Sequence, residues 1–139
     1  MVKIKTNFYN ITPYNNLLYI ESFSAWDERV AKQYIADLME VVLKLYTKAP
    51  WAVIHDSRLW DLGTPGAEYL LSKLVSTSVS GTLKHHAMIV DKSELKKWQI
   101  ANIFRDVTLY ENKFFTNLES ALEWLESLGY YINIQTEKA

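Results

Sequence analysis

Two short stretches hold the residue types that could do chemistry. The first, "IHDSRLWDLGTPGAEYL" (residues 54–70), runs from an apolar segment through His55, Asp56, Ser57 and Arg58 to a Thr-Pro pair. The second, "KHHAMIV" (84–90), carries His85 and His86. A metal site would draw on His55 and one of the histidine pair. Adjacent residues on a strand face opposite ways, which splits His85 from His86, and no third ligand stands at a recognisable spacing. No metal is expected. Asp56, Ser57, Arg58, Trp60 and Asp61 follow the carboxyl end of a strand, where open α/β sheets bind ligands. They form a candidate binding loop, with Trp60 as an apolar wall or interface anchor. The plainer reading makes Asp56 and Ser57 turn residues that hydrogen-bond the local backbone.

Thr64 and Ser57 are the candidate phosphoacceptors. On Thr64 a phosphate dianion would sit over a helix N-terminus, a favourable place for negative charge. The plainer reading makes Thr64 an N-cap with Pro65 in the first turn, and capping explains Thr-Pro in full. Other catalytic patterns are missing. The four glycines form neither GxGxxG nor GxxxxGK[ST], no GxSxG elbow occurs, and Glu119, Glu123 and Glu126 fall on the outer face of a helix. No catalytic residue, enzyme activity or cofactor is expected.

The elements that must position these residues follow from composition and pattern. The 139 residues suit one domain, residues 1–139, with one proper core; 49% are hydrophobic and 22% charged, as in ordinary globular proteins. The net charge of −1, with signs interspersed, supplies no field for nucleic acid or an anionic membrane, so neither is an expected partner. No run approaches the ~18 apolar residues of a membrane span, and "MVKIKTNFYN" lacks the core of a signal peptide. With no cysteine, thiolate chemistry and disulfides are excluded, and a cytoplasmic location is expected.

Residues 3–11 and 17–23 read as a hairpin joined by "TPYNN", with "LLYIESF" near a sheet edge. Ser24 opens a helix, Asp27 completing its capping box. Val30, Tyr34, Leu38, Val41, Val42 and Leu45 follow on one face to about Tyr46. Pro50 stops it, and Trp51–Ile54 reads as a central strand. The next helix runs from Thr64 to about Val79 with Ala67, Leu70, Leu71, Leu74, Val75 and Ser78 inward, and Gly81 just past its end. Residues 86–90 form another buried strand. Asp91 or Ser93 caps "ELKKWQIANIFRDV", whose Trp98, Ala101 and Arg105 compete with Ile100, Ile103, Phe104 and Val107 as the inward face. "KFFTN" is a last short strand. Thr116 and Glu119 box a final helix carrying Leu118, Ala121, Leu122, Leu125 and Leu128, which Gly129 ends. "YYINIQTEKA" is a terminal strand or a tail docked by its tyrosines. The order is ββαβαβα and then βα. It predicts an α/β fold with a four- to five-stranded mixed, mostly parallel sheet and about four helices.

This order resembles the STAS domain family, the anti-sigma-factor-antagonist fold, and within it the uncharacterised bacterial group of small STAS-like proteins. "WAVIHDSRLWDLGTPGAEYL", "GTLKHHAMIV" and "FFTNLESALEWL" carry the resemblance over nearly the whole chain. In regulatory STAS domains the loop before the second helix carries Asp-Ser/Thr-Ser-Gly, whose hydroxyl residue a partner kinase phosphorylates. Here the junction reads Gly63-Thr64-Pro65-Gly66. The Asp is missing, and Pro65 removes an N–H. The resemblance implies a non-enzymatic regulatory module working through a protein partner, or through self-association as a homodimer, by way of residues 56–66. The alternative is a carrier or sensor of a small amphipathic or apolar ligand, held between the sheet and the helices at 24–46 and 64–79. That alternative draws on a broad likeness of fold to lipid-transfer domains of the CRAL-TRIO type.

Overall fold

The computed structural model describes residues 3–77 and 81–132. Its sheet has six strands in sequence order: β1 (Ile4–Lys5), β2 (Tyr9–Pro13), β3 (Leu17–Trp26), β4 (Trp51–Gly63), β5 (Leu83–Ile89) and β6 (Glu111–Phe115). The β1–β2 and β2–β3 pairs are antiparallel; the three later pairs are parallel. The connections between parallel strands are the helices α1 (Glu28–Leu45), α2 (Pro65–Ser76) and α3 (Glu94–Phe104), and α4 (Leu118–Ser127) follows β6. The architecture is the expected mixed, mostly parallel α/β sheet with four helices, one strand larger than expected.

The extra strand comes from a break in residues 3–11. Thr6 Oγ1 accepts from the backbone N–H of Phe8 and Tyr9, and this turn splits the segment into β1 and β2. β3 is therefore an interior strand, not one near an edge. It also runs past Ser24. Trp26 pairs with Gly63 across the ladder, and its buried indole donates to the Phe8 and Phe23 carbonyls. The first helix accordingly starts later than Ser24, at an N-cap provided by Asp27, whose Oδ1 accepts from the Val30 N–H. Ser24 instead sits at φ 61° in a bulged stretch of strand.

Strand alternation divides the core in two. Leu18, Ile20, Val53 and Met88 pack beneath α1, α2 and α3. Leu17, Ala52, Ile54, Ala87 and Ile89 face α4 and are sealed by Ala121, Leu125 and Tyr130. In α3, Ile100, Ile103 and Phe104 turn inward while Trp98 is 61% exposed, which resolves its two competing faces. Ser93 caps it, and Asp91 in turn accepts from the Ser93 N–H. α4 is capped by Asn117 rather than Thr116, its Oδ1 accepting from Ser120. Tyr130 docks into the α4-side core, while Tyr131 is exposed. Ser78, Val79 and residues 133–139, including the remainder of the expected tail, lie outside the described residues.

Candidate functional site

The stretch expected to be a binding loop is strand. β4 extends for 13 residues to Gly63, because the long β3 offers it a partner: Phe23 pairs with Leu59 and Ser24 with Trp60, across two register shifts. Extended pairing fixes where each candidate points. Asp56 closes on its neighbour: Oδ1 accepts from the Arg58 backbone N–H and Nε, and Oδ2 accepts from Nη2 at 2.7 Å. Burial pushes this carboxyl up, but the Arg58 hydrogen bonds and charge outweigh it and hold Asp56 below the usual carboxylate range. Ser57 is buried and donates its hydroxyl to the Ile89 carbonyl at 2.6 Å, so it presents no group to a kinase. Trp60 is buried against Trp26, which makes it core wall rather than an exposed anchor. Asp61 is exposed. Thr64 is also exposed and acts as the N-cap of α2, its Oγ1 accepting from the Ala67 N–H at 3.2 Å.

Behind this strand lies a cavity of about 100 Å³ between the sheet and α1, α2 and α3. Its wall is mostly aromatic and aliphatic, and no Asp, Glu, Lys or Arg side chain lines it among the described residues. Polar groups come from alternate strand positions, Ser22 on β3, His55 and Ser57 on β4, and His86 on β5, with Tyr34 reaching down from α1 and with Thr77 and Tyr110 adding two further hydroxyls. The pattern apolar–apolar–polar–polar at 51, 53, 55 and 57 is the period-2 signal that could have located this face in the sequence.

His55 Nε2 lies 3.0 Å from Ser22 Oγ, and His86 Nδ1 lies 2.9 Å from Asn112 Oδ1 on β6. With a carbonyl oxygen facing it, His86 Nδ1 carries the proton and Nε2 is left with a lone pair. Burial lowers the His55 pKa from 6.5 to about 3, helped by the nearby His86 and opposed by Asp56. Burial also lowers His86 to about 4, against the bond to Asn112. Both rings are neutral at pH 7. His85 faces the other way, against Trp124 and Tyr130, as strand alternation requires. His55 and His86 do share a face, with ring centroids 6.4 Å apart, but no group of three or more metal-ligating side chains gathers among the described residues. The Ser22–His55 contact has the length of a nucleophile–base pair. An imidazole that titrates near 3 is nevertheless too weak a base to activate a serine at neutral pH.

No protein-family model matches the chain, and no curated protein matches it in sequence. Solved structures do match in three dimensions. An uncharacterised DUF3478-family protein with a SpoIIAA-like fold from Shewanella loihica PV-4 superposes with a TM-score of 0.61 at 23% identity, over 88% of this chain and 98% of that one. The fold is SpoIIAA-like. The anti-sigma factor antagonist SpoIIAA in its unphosphorylated form also superposes, with a TM-score of 0.54 at 10% identity, over 86% of this chain and 96% of SpoIIAA. At the level of fold, the STAS resemblance drawn from the sequence holds. In this SpoIIAA-like chain the cavity lies on the α1–α3 face, and α2 begins at the Gly63-Thr64-Pro65 junction. No helix among the described residues is long and apolar enough to cross a membrane.

Proposed function

We propose that this chain is a non-enzymatic, STAS-like regulatory module that binds a small, mostly apolar ligand in the cavity beneath α1–α3. One observation carries the reading: a core otherwise closed by large rings keeps an uncharged hollow with polar groups converging on it, the lining of a small-molecule site at a smaller volume than most. The fold shared with an anti-sigma factor antagonist supports a regulatory role. Native mass spectrometry of the protein isolated gently from its own cells tests this. Added mass that an organic solvent releases is the expected result. A bare chain that no small apolar compound stabilises against heat would overturn it.

Protein contact is the second reading, favoured by the exposure of two large apolar side chains near Thr64: Leu59 at 70% and Tyr69 at 60%. On this reading residues 56–66 and the start of α2 meet a partner or a second copy. Thr64 divides the two readings. As a cap alone, Thr64→Ala lowers stability by about 1 kcal/mol in urea unfolding and leaves partner binding intact. Phosphate on Thr64 in the same mass spectra would restore the switch that the Pro65 departure argues against.

A further inference from the structure

Three polar side-chain atoms of the cavity have no hydrogen-bond partner. Tyr34 is 4% exposed, lines the cavity, and its hydroxyl is paired with nothing. His86 uses Nδ1 on Asn112 and leaves Nε2 open. His55 uses Nε2 on Ser22 and leaves Nδ1 open. Among the described residues no fully enclosed side-chain nitrogen or oxygen lacks a partner, so these three atoms open onto accessible space. All three side chains line the cavity. Native interiors seldom leave such atoms idle, because an unpaired buried polar group is costly.

Resting on the reading of this cavity as a ligand site, we infer that its occupant is an electrically neutral molecule on the scale of phenol, an apolar body with one hydroxyl. The hydroxyl donates to the open Nε2 of His86, and Tyr34, lining the same cavity with its own hydroxyl unpaired, supplies a donor in return. Size follows from volume. At about 100 Å³ the hollow is some two-thirds of the ~150 Å³ apolar void known to accept benzene, so the occupant is no larger than a single small ring. Neutrality follows from the wall. A carboxylate or ammonium would shed its water for a lining with no opposite charge, and neutral imidazoles do not supply one. A fatty acid is thereby excluded on both charge and length. Planarity suits the tilted and edge-on rings of Trp26, Tyr34 and Trp60 that bound the space. Water is the competing occupant, since the polar atoms could also hold about three ordered waters at ~30 Å³ each.

The test titrates the full chain with phenol, benzene and benzoate, following backbone amide shifts by NMR. It then repeats the titrations with Tyr34→Phe and His86→Phe. Tyr34→Phe removes a hydroxyl that bonds nothing in the protein, so it leaves the fold intact. Phenol is expected to bind about 5-fold or more tighter than benzene, with benzoate showing no binding. Each substitution should erase most of the phenol advantage and leave benzene unchanged. Equal binding of benzene and phenol, or benzoate binding as well as phenol, would overturn the inference while leaving a ligand cavity in place. If none of the three binds, the inference and the ligand-binding reading fall together.

Discussion

Leu17, Ala52, Ile54, Ala87 and Ile89 meet Ala121 and Leu125 of α4 with no exposure at all, whereas the opposite face of the same strands carries Trp26, Trp51 and Trp60, meets Tyr34 of α1 and encloses a hollow. Both faces come from one alternating backbone, so the difference lies in side-chain shape. Alanine and branched aliphatics interdigitate to crystal-like density. Large flat rings that stand edge to face bury more area but leave wedge-shaped gaps between them. A hollow face can then tolerate open polar atoms that a sealed face would have to pair. The two histidines side by side on β5 mark the boundary. His85 is met by the Tyr130 hydroxyl, 3.0 Å from its Nδ1, while His86 keeps one nitrogen free.

Acid should produce the largest effect and act through the hollow face. Unfolded, His55 and His86 titrate near 6.5; folded, they titrate near 3 and 4. Between those values only the unfolded chain takes up the protons. The stability these groups contribute is present above pH 6.5 and lost as pH falls toward 4, on the order of 5 kcal/mol for the pair. Urea unfolding at pH 7 and pH 4.5 measures it, and His86→Phe should remove about half of the dependence. A stability unchanged between the two pH values would mean that the rings are not enclosed.

Truncation probes the sealed face next. Leu125→Ala opens a void where nothing can collapse and should cost about 3 kcal/mol. Leu71→Ala, at the border of an existing cavity, should cost about 2 kcal/mol. Urea midpoints in the reverse order would break the contrast between the faces. The smallest effect separates two tyrosines whose rings touch. Tyr9 donates its hydroxyl to Asp37 Oδ2 at 2.6 Å, so Tyr9→Phe should lose about 1 kcal/mol. Tyr34→Phe should leave the thermal midpoint unchanged or slightly raised.

Much of the architecture was legible because it rests on local pattern. The 3.6-residue stripe Val30–Tyr34–Leu38–Val41 and the continuous run Trp51–Ile54 have one sensible burial each, and they set α1 and the centre of the sheet. The site was less legible because it depends on pairing across the sheet. Nothing near Asp56 says that β3 will run on to Trp26 and hold β4 in strand as far as Gly63. The two bulges, with Ser24 and Leu62 at positive φ, also reset the alternation that would have marked Trp60 as inward. Tyr34 read as one more core ring, since a missing hydrogen-bond partner is visible only when every neighbour is in place. Strand alternation places His55 on a face with one of the histidine pair, but which one depends on register between β4 and β5, and the neutrality of both rings follows from enclosure that no spacing encodes.

The hollow also equips the protein to report on itself by light. Trp26, Trp51 and Trp60 stand in the cavity wall, while Trp98 lies out in solvent and Trp124 packs against His85 and Phe115 on the other side of the sheet. Three of the five indoles are therefore positioned to change colour or brightness with whatever fills the interior. Replacing Trp98 and Trp124 with Phe would leave an emission spectrum drawn from the cavity wall alone, with no dye or label attached.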